Sequence, residues 1–409
     1  MLRKTRIFTP GPTPLLPAAQ FAMAAADLHH RTAEFRALYK KVLEQLQTFI
    51  GTEHDVVLLA ASGTGAMEAS VSNLTSPGDK VLVLTAGKFG ERWTAITKAF
   101  GCQVEVVSAP YGETFSTEAI KEKLTTYTRV VFMQATETST GVRHSVEEVA
   151  GLLRGTDTLL VVDAITGLGT SVFDVDGWGI DVIIGGSQKA VMIPPGLAYC
   201  AVSNRAWKRM EDSKSPRYYF DLRKERKAAA GGESAYTPSV ALIAGLGAAL
   251  DYIASEGDGD LAEGRKQLIH NAETCAAMTR AAAIDLGLML FAPAAPAAAV
   301  TAIVSPTGMD SGVIVKGLKQ QFGTVIANGQ GDMKGQLFRV AHLGFFDYFD
   351  TIALIGALEQ VLAAIRRPSH YEFGSGLRAA QLEYAKATSP YSEYWRAERA
   401  VLPYSAGKP

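Results

Sequence analysis

The sequence has few cysteines and almost no excess of charge of either sign. Its three cysteines, Cys102, Cys200 and Cys275, lack the CxxC spacing of a metal or redox motif. An odd, sparse set of thiols argues against a disulfide framework and favours a reducing compartment. The chain has 40 basic and 41 acidic residues and a net charge of −1. This balance excludes the strong positive field expected of proteins that bind nucleic acid or membrane surfaces.

Long uninterrupted apolar runs are also missing. No run reaches the roughly 20 residues that a transmembrane helix needs. The first residues, MLRKTRIFTPGPTP, lack the apolar centre of a secretion signal. We therefore expect a cytoplasmic protein without a membrane span. With 409 residues, 47% of them hydrophobic, the chain is long enough for two or three domains and a large core.

Short β-branched runs alternate with helical patterns in the first half of the chain. Apolar character predicts seven strands, at 55–60, 80–85, 102–107, 129–134, 158–163, 181–186 and 198–203. The segments between them have the apolar spacing of amphipathic helices. One such helix is predicted to begin at Ser145, which forms a capping-box pattern with Glu148. Apolar strands separated by helices indicate an α/β fold with a mostly parallel sheet covered on both faces.

The second half of the chain has a different pattern. The polar stretch 213–239, which proline and glycine interrupt, is interpreted as too irregular for a core element, and a long helical region is predicted over about 239–286. A smaller α+β unit follows, with strands at 299–306 and 336–342 and a last helix at 350–366. The resulting division is an N-terminal arm, a large domain, a small domain and a C-terminal extension, at 1–20, 21–255, 256–366 and 367–409.

Small and charged residues follow several of the predicted strands. Ligands of a parallel sheet bind beyond the carboxyl ends of its strands, which is where these residues lie. The small residues SGTGAMEA (62–69) suit either a plain strand-to-helix turn or a backbone cradle for phosphate. Asp163 ends an apolar strand, where it could form a structural ion pair or serve as a functional acid. Lys189 follows the next strand, in DVIIGGSQKAV. An amine and an acid at one sheet edge, beside a possible phosphate site, are what pyridoxal phosphate requires. The amine binds its aldehyde, and the acid keeps its ring nitrogen protonated.

These motifs resemble those of the class V, fold type I aminotransferases, which use pyridoxal phosphate. The similarity runs from FTPGPTPLLP to about residue 365 and includes GKFGERW, ETSTGVRH, LLVVDAITGLGT, GIDVIIGGSQKAVMIPPGLA, AYTPSVALI and LFRVAHLG. It is strongest with the alanine–glyoxylate, serine–glyoxylate and serine–pyruvate branch. The resemblance implies a large domain with a seven-stranded sheet and a smaller α+β C-terminal domain. It also implies a homodimer whose active sites are shared between subunits.

The resemblance assigns roles to the matching residues. Lys189 is expected to bind the cofactor covalently, Asp163 to pair with its ring nitrogen, and Arg339 to bind the substrate carboxylate. Further cofactor contacts are expected at Thr64, Gly65, Ala66 and Gln188 near the phosphate, Phe89 stacked on the ring, Thr138 near its phenolic oxygen, Ile165, and Thr237 from the neighbouring subunit; Gly11 is expected at the substrate.

Some of these positions allow other interpretations. Phe89 could pack in the core, Thr138 could be a turn hydroxyl, and Arg339 could be a surface cation. Two positions depart from the family pattern. Relatives often carry tryptophan in place of Phe89 and a larger polar residue in place of Ala66. These changes should loosen the stacking and the phosphate contacts slightly without removing the site.

The functional hypothesis is a transaminase that acts on a small amino acid and a small 2-oxo acid. Serine or alanine would donate the amino group and glyoxylate or pyruvate would accept it, by a ping-pong mechanism. One alternative is an aminotransferase for 2-aminoethylphosphonate or phosphoserine, with Arg31 or Arg143 binding the phosphorus-containing group. Another is a non-catalytic subunit of a larger assembly. No metal is expected, because His29 and His30 lack a third ligand at suitable spacing.

Overall fold

A seven-stranded sheet forms the centre of the larger domain in the computed structural model, which describes residues 3–366 and 373–388. Its strands, in spatial order, are β2 (Asp55–Leu59), β10 (Ala198–Val202), β9 (Val182–Gly186), β8 (Leu159–Asp163), β5 (Thr128–Gln134), β3 (Lys80–Thr85) and β4 (Gln103–Ser108). Only β10 is antiparallel to its neighbours. The seven predicted strands and the mostly parallel sheet are therefore confirmed, with strand ends shifted by no more than one residue.

Helices cover both faces of this sheet. They are α1 (Pro17–Ala25), α2 (Ala33–Ile50), α3 (Gly63–Leu74), α4 (Lys88–Ala99), α5 (Thr117–Lys123), α6 (Val146–Leu153), α7 (Val175–Trp178), α8 (Asn204–Asp212), α9 (Leu222–Ala229) and α10 (Val240–Ser255). Neighbouring strand residues point to opposite faces, so Leu58 packs with α2 and α10 while Val57 packs with α3 and α8. Ser145 caps α6 as predicted, accepting a hydrogen bond from the backbone N–H of Glu148 at 3.3 Å.

In the middle of the chain one prediction is wrong and another is refined. The stretch 213–239, interpreted as too irregular for a core element, contains α9, whose Leu222 is buried in the core and which begins where the Asp221 side chain accepts a hydrogen bond from the Arg223 N–H at 3.1 Å. The helical region predicted at about 239–286 consists of α10 and a separate helix, α11 (Leu261–Asp285). The break occurs because Asp260 accepts hydrogen bonds from the first N–H groups of α11.

The smaller domain is built on a three-stranded antiparallel sheet. Its strands, in spatial order, are β11 (Val300–Val304), β14 (Leu337–Ala341) and β13 (Ala327–Asn328). Besides α11, the domain has α12 (Ser311–Phe322), α13 (Tyr348–Arg366) and a single 3₁₀ turn at Gly331–Met333. By length and composition alone α13 could cross a membrane, but its residues Leu354, Leu358 and Val361 belong to the core of this domain.

The N-terminal arm connects the two domains. Its strand β1 (Arg6–Ile7) pairs in parallel with β12 (Thr324–Val325), and Phe8 is buried in the small-domain core. Further along, the backbone N–H of Leu16 donates to the Met192 carbonyl of the large domain at 3.0 Å. One more two-stranded pair, formed by β6 (Thr136–Glu137) and β7 (Val142–Arg143), follows β5 at the sheet edge.

The described part of the C-terminal extension packs on the small domain. Residues 375–388 form α14 (Ser375–Thr388), whose Ala380 is buried with Met278 of α11 and Ile355 of α13. Buried Glu359 of α13 accepts hydrogen bonds from the N–H groups of Gly374 and Gly376 at 2.8 Å and of Leu377 at 3.2 Å. The sequence assigned this extension to neither domain, so the packing of α14 corrects that interpretation. Residues 367–372 and 389–409 lie outside the described residues.

The variant Glu359→Gln should detach the start of α14. The amide cannot accept at both of its terminal atoms, so one or more buried N–H groups lose their acceptor, and we expect a stability loss of about 1–3 kcal/mol. Hydrogen exchange at Gly374, Gly376 and Leu377 and urea unfolding measure this. Exposed Glu122→Gln is the control, expected within about 0.5 kcal/mol of the parent. Unchanged exchange at all three amides would contradict the assignment.

Candidate active site

A cavity of about 480 Å³ opens at the carboxyl ends of the parallel strands. The turns after β2, β3, β5, β8 and β9 form one side, and the N-terminal arm and the small domain close the other. Its lining comprises Thr9, Pro10, Gly11, Pro12, Ser62, Gly63, Thr64, Phe89, Arg92, Thr136, Thr138, Asp163, Ile165, Thr166, Gln188, Lys189, Pro195, Ala327, Gln330 and Arg339. The cavity thus lies where an open α/β sheet binds its ligands.

Lys189 follows β9 on a tight turn that the arm holds in place. Its side chain is buried, and its amine donates a hydrogen bond to the Pro10 carbonyl. The Thr13 hydroxyl donates to the Lys189 carbonyl at 3.0 Å. Gly11 has φ +118°, and a Cβ there would lie 2.8 Å from the lysine amine, so the close approach of the arm requires glycine.

Burial sets the protonation of this lysine. Loss of solvent lowers the pKa of Lys189 to about 8, while Asp163 acts in the opposite direction and Arg339 and Arg92 lower it further. A substantial fraction of the amine is therefore neutral near physiological pH, and the neutral amine is the form that acts as a nucleophile or base.

Asp163 lies at the end of β8, within electrostatic reach of Lys189. Its Oδ1 accepts a hydrogen bond from the Ile165 N–H at 2.9 Å. Burial raises the pKa of Asp163 to about 6, against the hydrogen bond from Ile165 and the charge of Lys189. The carboxylate is thus mostly ionised at neutral pH. A cationic ring nitrogen placed beside it would favour the ionised form further.

The start of α3 forms an anion cradle at one end of the cavity. Ser62 makes no side-chain cap, and although the Gly65 N–H donates to the Ser62 carbonyl at 2.8 Å, the N–H groups of Gly63 and Thr64 remain available to a ligand. A Cβ at Gly63 would lie 2.2 Å from the Ile165 side chain, so only glycine fits between them. The Gln188 Oε1 atom is buried without a hydrogen-bond partner in the described chain. With its amide turned so that the N–H₂ group takes the place of this oxygen, Gln188 would donate to a bound phosphate together with the N–H groups of Gly63 and Thr64.

Two walls of the cavity are suited to a planar ring. Phe89 lines one wall, and the Arg92 guanidinium lies 4.8 Å from its ring centroid. Arg92 also donates from Nη1 to the Thr64 hydroxyl at 3.0 Å, which leaves the Thr64 proton available to an anion. On another wall the Thr138 and Thr166 hydroxyls lie 2.9 Å apart. Phe89 and Thr138 therefore face the cavity, as the resemblance implies.

Arg339 reaches the cavity from β14 of the small domain and is buried, which excludes the surface cation. Its Nε and Nη2 donate to the Asn328 carbonyl at 3.1 and 2.7 Å, and Nη1 donates to the Thr138 carbonyl at 3.0 Å. A guanidinium has five N–H donors, so two remain, one of them near the Gln330 Oε1 at 3.5 Å. Burial lowers the pKa of Arg339 to about 10, which leaves it charged at neutral pH. The free N–H on Nη2, together with the second N–H on Nη1 when it exchanges Gln330 for a substrate, can bind a carboxylate.

The structure brings most of the expected site residues together. Those that line the cavity are Gly11, Thr64, Phe89, Thr138, Asp163, Ile165, Gln188, Lys189 and Arg339. Gly65 and Ala66 continue the first turn of α3 behind Thr64. Thr237 is exposed and does not line the cavity of its own protomer, so its expected role remains a prediction about the neighbouring subunit.

Several lining residues were not identified from the sequence, among them Arg92, Thr166 and Gln330. Arg92 lies one helical turn after Phe89, and this i, i+3 spacing could have indicated it. Thr166 lies three residues after Asp163 in DAIT, where only the folded turn places its hydroxyl beside Thr138. Gln330 precedes the short 3₁₀ turn of the small domain, and no sequence signal marks it.

Comparisons with known proteins agree with this geometry. A family model described as aminotransferase class-V matches residues 18–331. A protein of Anabaena cylindrica named soluble hydrogenase 42 kDa subunit is 38% identical over 92% of this chain and 97% of its own. An L-aspartate–glyoxylate aminotransferase of Paracoccus denitrificans is 33% identical over 95% and 98%. The crystal structure of an alanine–glyoxylate aminotransferase from Nostoc sp. has a TM-score of 0.82 at 29% identity, covering 88% of this chain and 96% of that one.

The reactivity of Lys189 in the cofactor-free protein should follow its lowered pKa. The neutral amine reacts with acetic anhydride, and its fraction rises with pH, so half-maximal labelling is expected near pH 8. Peptide mass spectrometry after brief labelling measures this, with exposed Lys227 in the same samples as the reference. Asp163→Asn removes the charge that opposes deprotonation, so it should move the midpoint to lower pH. Labelling of Lys189 that parallels that of Lys227 would contradict the analysis.

Proposed function

Since the chain belongs to the class V aminotransferase family and is therefore a pyridoxal phosphate-dependent aminotransferase, we propose that it transfers the amino group of serine or alanine to glyoxylate or pyruvate. The proposal rests on one observation. Lys189, Asp163 and Arg339, which come from three separate parts of the chain, line the same cavity. A base, an acid for the ring nitrogen and a carboxylate-binding arginine are the minimum set for this reaction.

Lys189, Asp163 and Arg339 have separate roles in the proposed reaction. When bound, pyridoxal phosphate supplies an aldehyde that captures amines and a ring that withdraws electrons. Lys189 Nζ would hold that group covalently and, as a free amine, would move a proton from and back to the substrate. Asp163 would pair with the ring nitrogen and favour its protonated form, and Arg339 would hold the carboxylate of each substrate in turn. The arm and the small domain enclose these groups and limit access of water.

The substrate class follows from the remaining walls of the cavity. The remaining lining of the cavity includes Pro10, Pro12, Pro195 and Ala327 together with Gln330. Short side chains of this kind suit a small substrate. Two of the similar proteins have glyoxylate in their names, which supports glyoxylate as the acceptor. The aspartate in one of those names makes aspartate a third donor to test.

Two alternative functions are an aminotransferase for a phosphorus-containing substrate and a non-catalytic subunit of a larger assembly. A phosphorus-containing substrate would need further cations, but Arg31 and Arg143, suggested from the sequence, are exposed and outside the cavity lining. A subunit of a larger assembly is favoured by the similar protein named as a soluble hydrogenase subunit. The intact set of Lys189, Asp163 and Arg339 supports an active enzyme instead, and an absorption spectrum of the purified protein separates these two possibilities.

A homodimer in the cytoplasm is part of the proposal. Thr237 lies in an exposed loop next to Tyr219 and Tyr236, whose rings stack with centroids 4.9 Å apart. An exposed aromatic cluster beside the residue expected to serve a neighbouring cavity suits a subunit interface. The cytoplasm is proposed because Cys102, Cys200 and Cys275 are free thiols.

The variant Lys189→Ala should lose all measurable transamination. Without the amine the cofactor cannot be bound covalently and the Cα proton has no base, so we also expect loss of the visible absorption of the lysine-bound cofactor. Assays with glyoxylate as acceptor and a spectrum of the purified variant test both expectations, with exposed Lys208→Ala as the control. Full transaminase activity in Lys189→Ala would refute the assignment.

The variant Arg339→Ala should weaken binding of both substrates more than it slows turnover. Loss of a charged, paired contact with a carboxylate corresponds to about 10- to 100-fold in KM. Steady-state assays with serine, alanine and aspartate as donors and glyoxylate or pyruvate as acceptors give KM and kcat for each pair. Arg339→Lys keeps the charge without the forked donors and should give an intermediate KM. Unchanged KM values in both variants would remove Arg339 from this role.

A further inference from the structure

A buried glutamate lies behind the cavity. It accepts hydrogen bonds from the start of α4 and from the turn that carries Thr138. Glu137 follows β5 and is 0% exposed. Its Oε2 accepts from the N–H groups of Phe89 and Gly90 at 3.1 Å and from the Gln134 amide at 3.3 Å. Its Oε1 accepts from the Ser139 N–H at 3.1 Å and from the Ser139 hydroxyl. Every partner is a donor, and these hydrogen bonds oppose the rise in the pKa of Glu137 that burial causes.

Glu137 and Ser139 provide the N-terminal cap of α4 from a distant part of the chain. The residue at the helix start, Gly87, has no side chain with which to form a cap. The Lys88 N–H donates to the Ser139 hydroxyl at 3.2 Å, and the next two N–H groups donate to Glu137. A Cβ on Gly87 would lie 2.4 Å from the Glu137 carboxyl carbon. Glycine at this position thus lets the carboxylate reach the helix.

Glu137 and Ser139 lie between two parts of the cavity, the start of α4 and the residue Thr138. α4 carries Phe89 and Arg92, which face the expected cofactor, on its first turns. Next to Glu137, the Thr138 carbonyl accepts from Arg339 at 3.0 Å, and the Thr138 hydroxyl meets Thr166 at 2.9 Å. Glu137 is therefore bonded to the wall that faces the ring and is adjacent to the residue that holds the substrate arginine.

We propose that Glu137 is a positioning residue that fixes two parts of the site through one carboxylate: the α4 wall against the cofactor, and the Thr138 carbonyl that orients Arg339. The effect on Arg339 rests on the proposed function, whereas the effect on α4 requires only that the protein binds pyridoxal phosphate. The negative charge of Glu137 also raises the pKa of Arg339 and so favours the charged guanidinium that would bind a carboxylate.

The variant Glu137→Gln tests this role at nearly constant volume. Its amide group places an N–H₂ donor against N–H groups that need an acceptor, so the α4 cap should open. We expect faster hydrogen exchange at Lys88, Phe89 and Gly90. The Kd for pyridoxal phosphate, measured by absorption titration of the cofactor-free protein, should rise about tenfold or more. The KM for the 2-oxo acid should rise more than kcat falls.

Two further variants separate positioning from general stability. Glu359→Gln alters an equally buried carboxylate that binds three backbone N–H groups away from the cavity, so it should leave the Kd unchanged. Ser139→Ala removes one hydroxyl from the α4 cap and should raise the Kd in the same direction by a smaller factor. It also serves if Glu137→Gln does not fold.

The outcomes distinguish this inference from the proposed function. Wild-type affinity for pyridoxal phosphate in Glu137→Gln or, where that variant does not fold, in Ser139→Ala would overturn the inference, even if exchange at α4 became faster. The inference is also overturned if Glu359→Gln weakens cofactor binding as much as Glu137→Gln does. A parent protein that binds pyridoxal phosphate but transfers no amino group would overturn only the proposed function. The changes in Kd and exchange would still test the effect on α4.

Discussion

The site depends on an amine and a carboxylate held together in a cavity with little access to solvent. Burial by itself would drive Lys189 and Asp163 towards their neutral forms, and each opposes that effect on the other. The result is an amine with a pKa of about 8 and an acid with a pKa of about 6. An exposed pair would have neither property, because water would stabilise both charges. The enclosure of the cavity is therefore part of the chemistry.

Enclosure comes from segments that are distant in the sequence. The N-terminal arm pairs with β12 of the small domain and then places Pro10 and Gly11 against the lysine amine. The small domain contributes Arg339 from β14, which is bonded across the cavity to the Thr138 carbonyl. Each of these contacts joins one domain to the other at the site. The positions of Lys189 and Arg339 thus depend on how the two domains meet.

Some expectations failed because local signals were weak or were overridden. The helix α9 begins in a polar segment where only the Asp221 side chain marks its start. The break between α10 and α11 depends on Asp260, which caps the second helix in a region with continuous helical character. The importance of Glu137 was not visible in ETSTG. Its partners Phe89 and Gly90 lie about 50 residues earlier, and only the pairing of parallel strands brings them to the same sheet edge.

Sequence alone was enough for the α/β architecture, the seven strands and two residues of the site, Asp163 at the end of β8 and Lys189 shortly after β9. These features are encoded locally, in apolar periodicity and in the polar residues that interrupt it. Tertiary structure decided the rest: the lowered pKa of the lysine, the cap that Glu137 provides for α4, and the meeting of Arg339 with Thr138. They arise from burial and from contacts between distant segments, which periodicity along one stretch of chain does not contain.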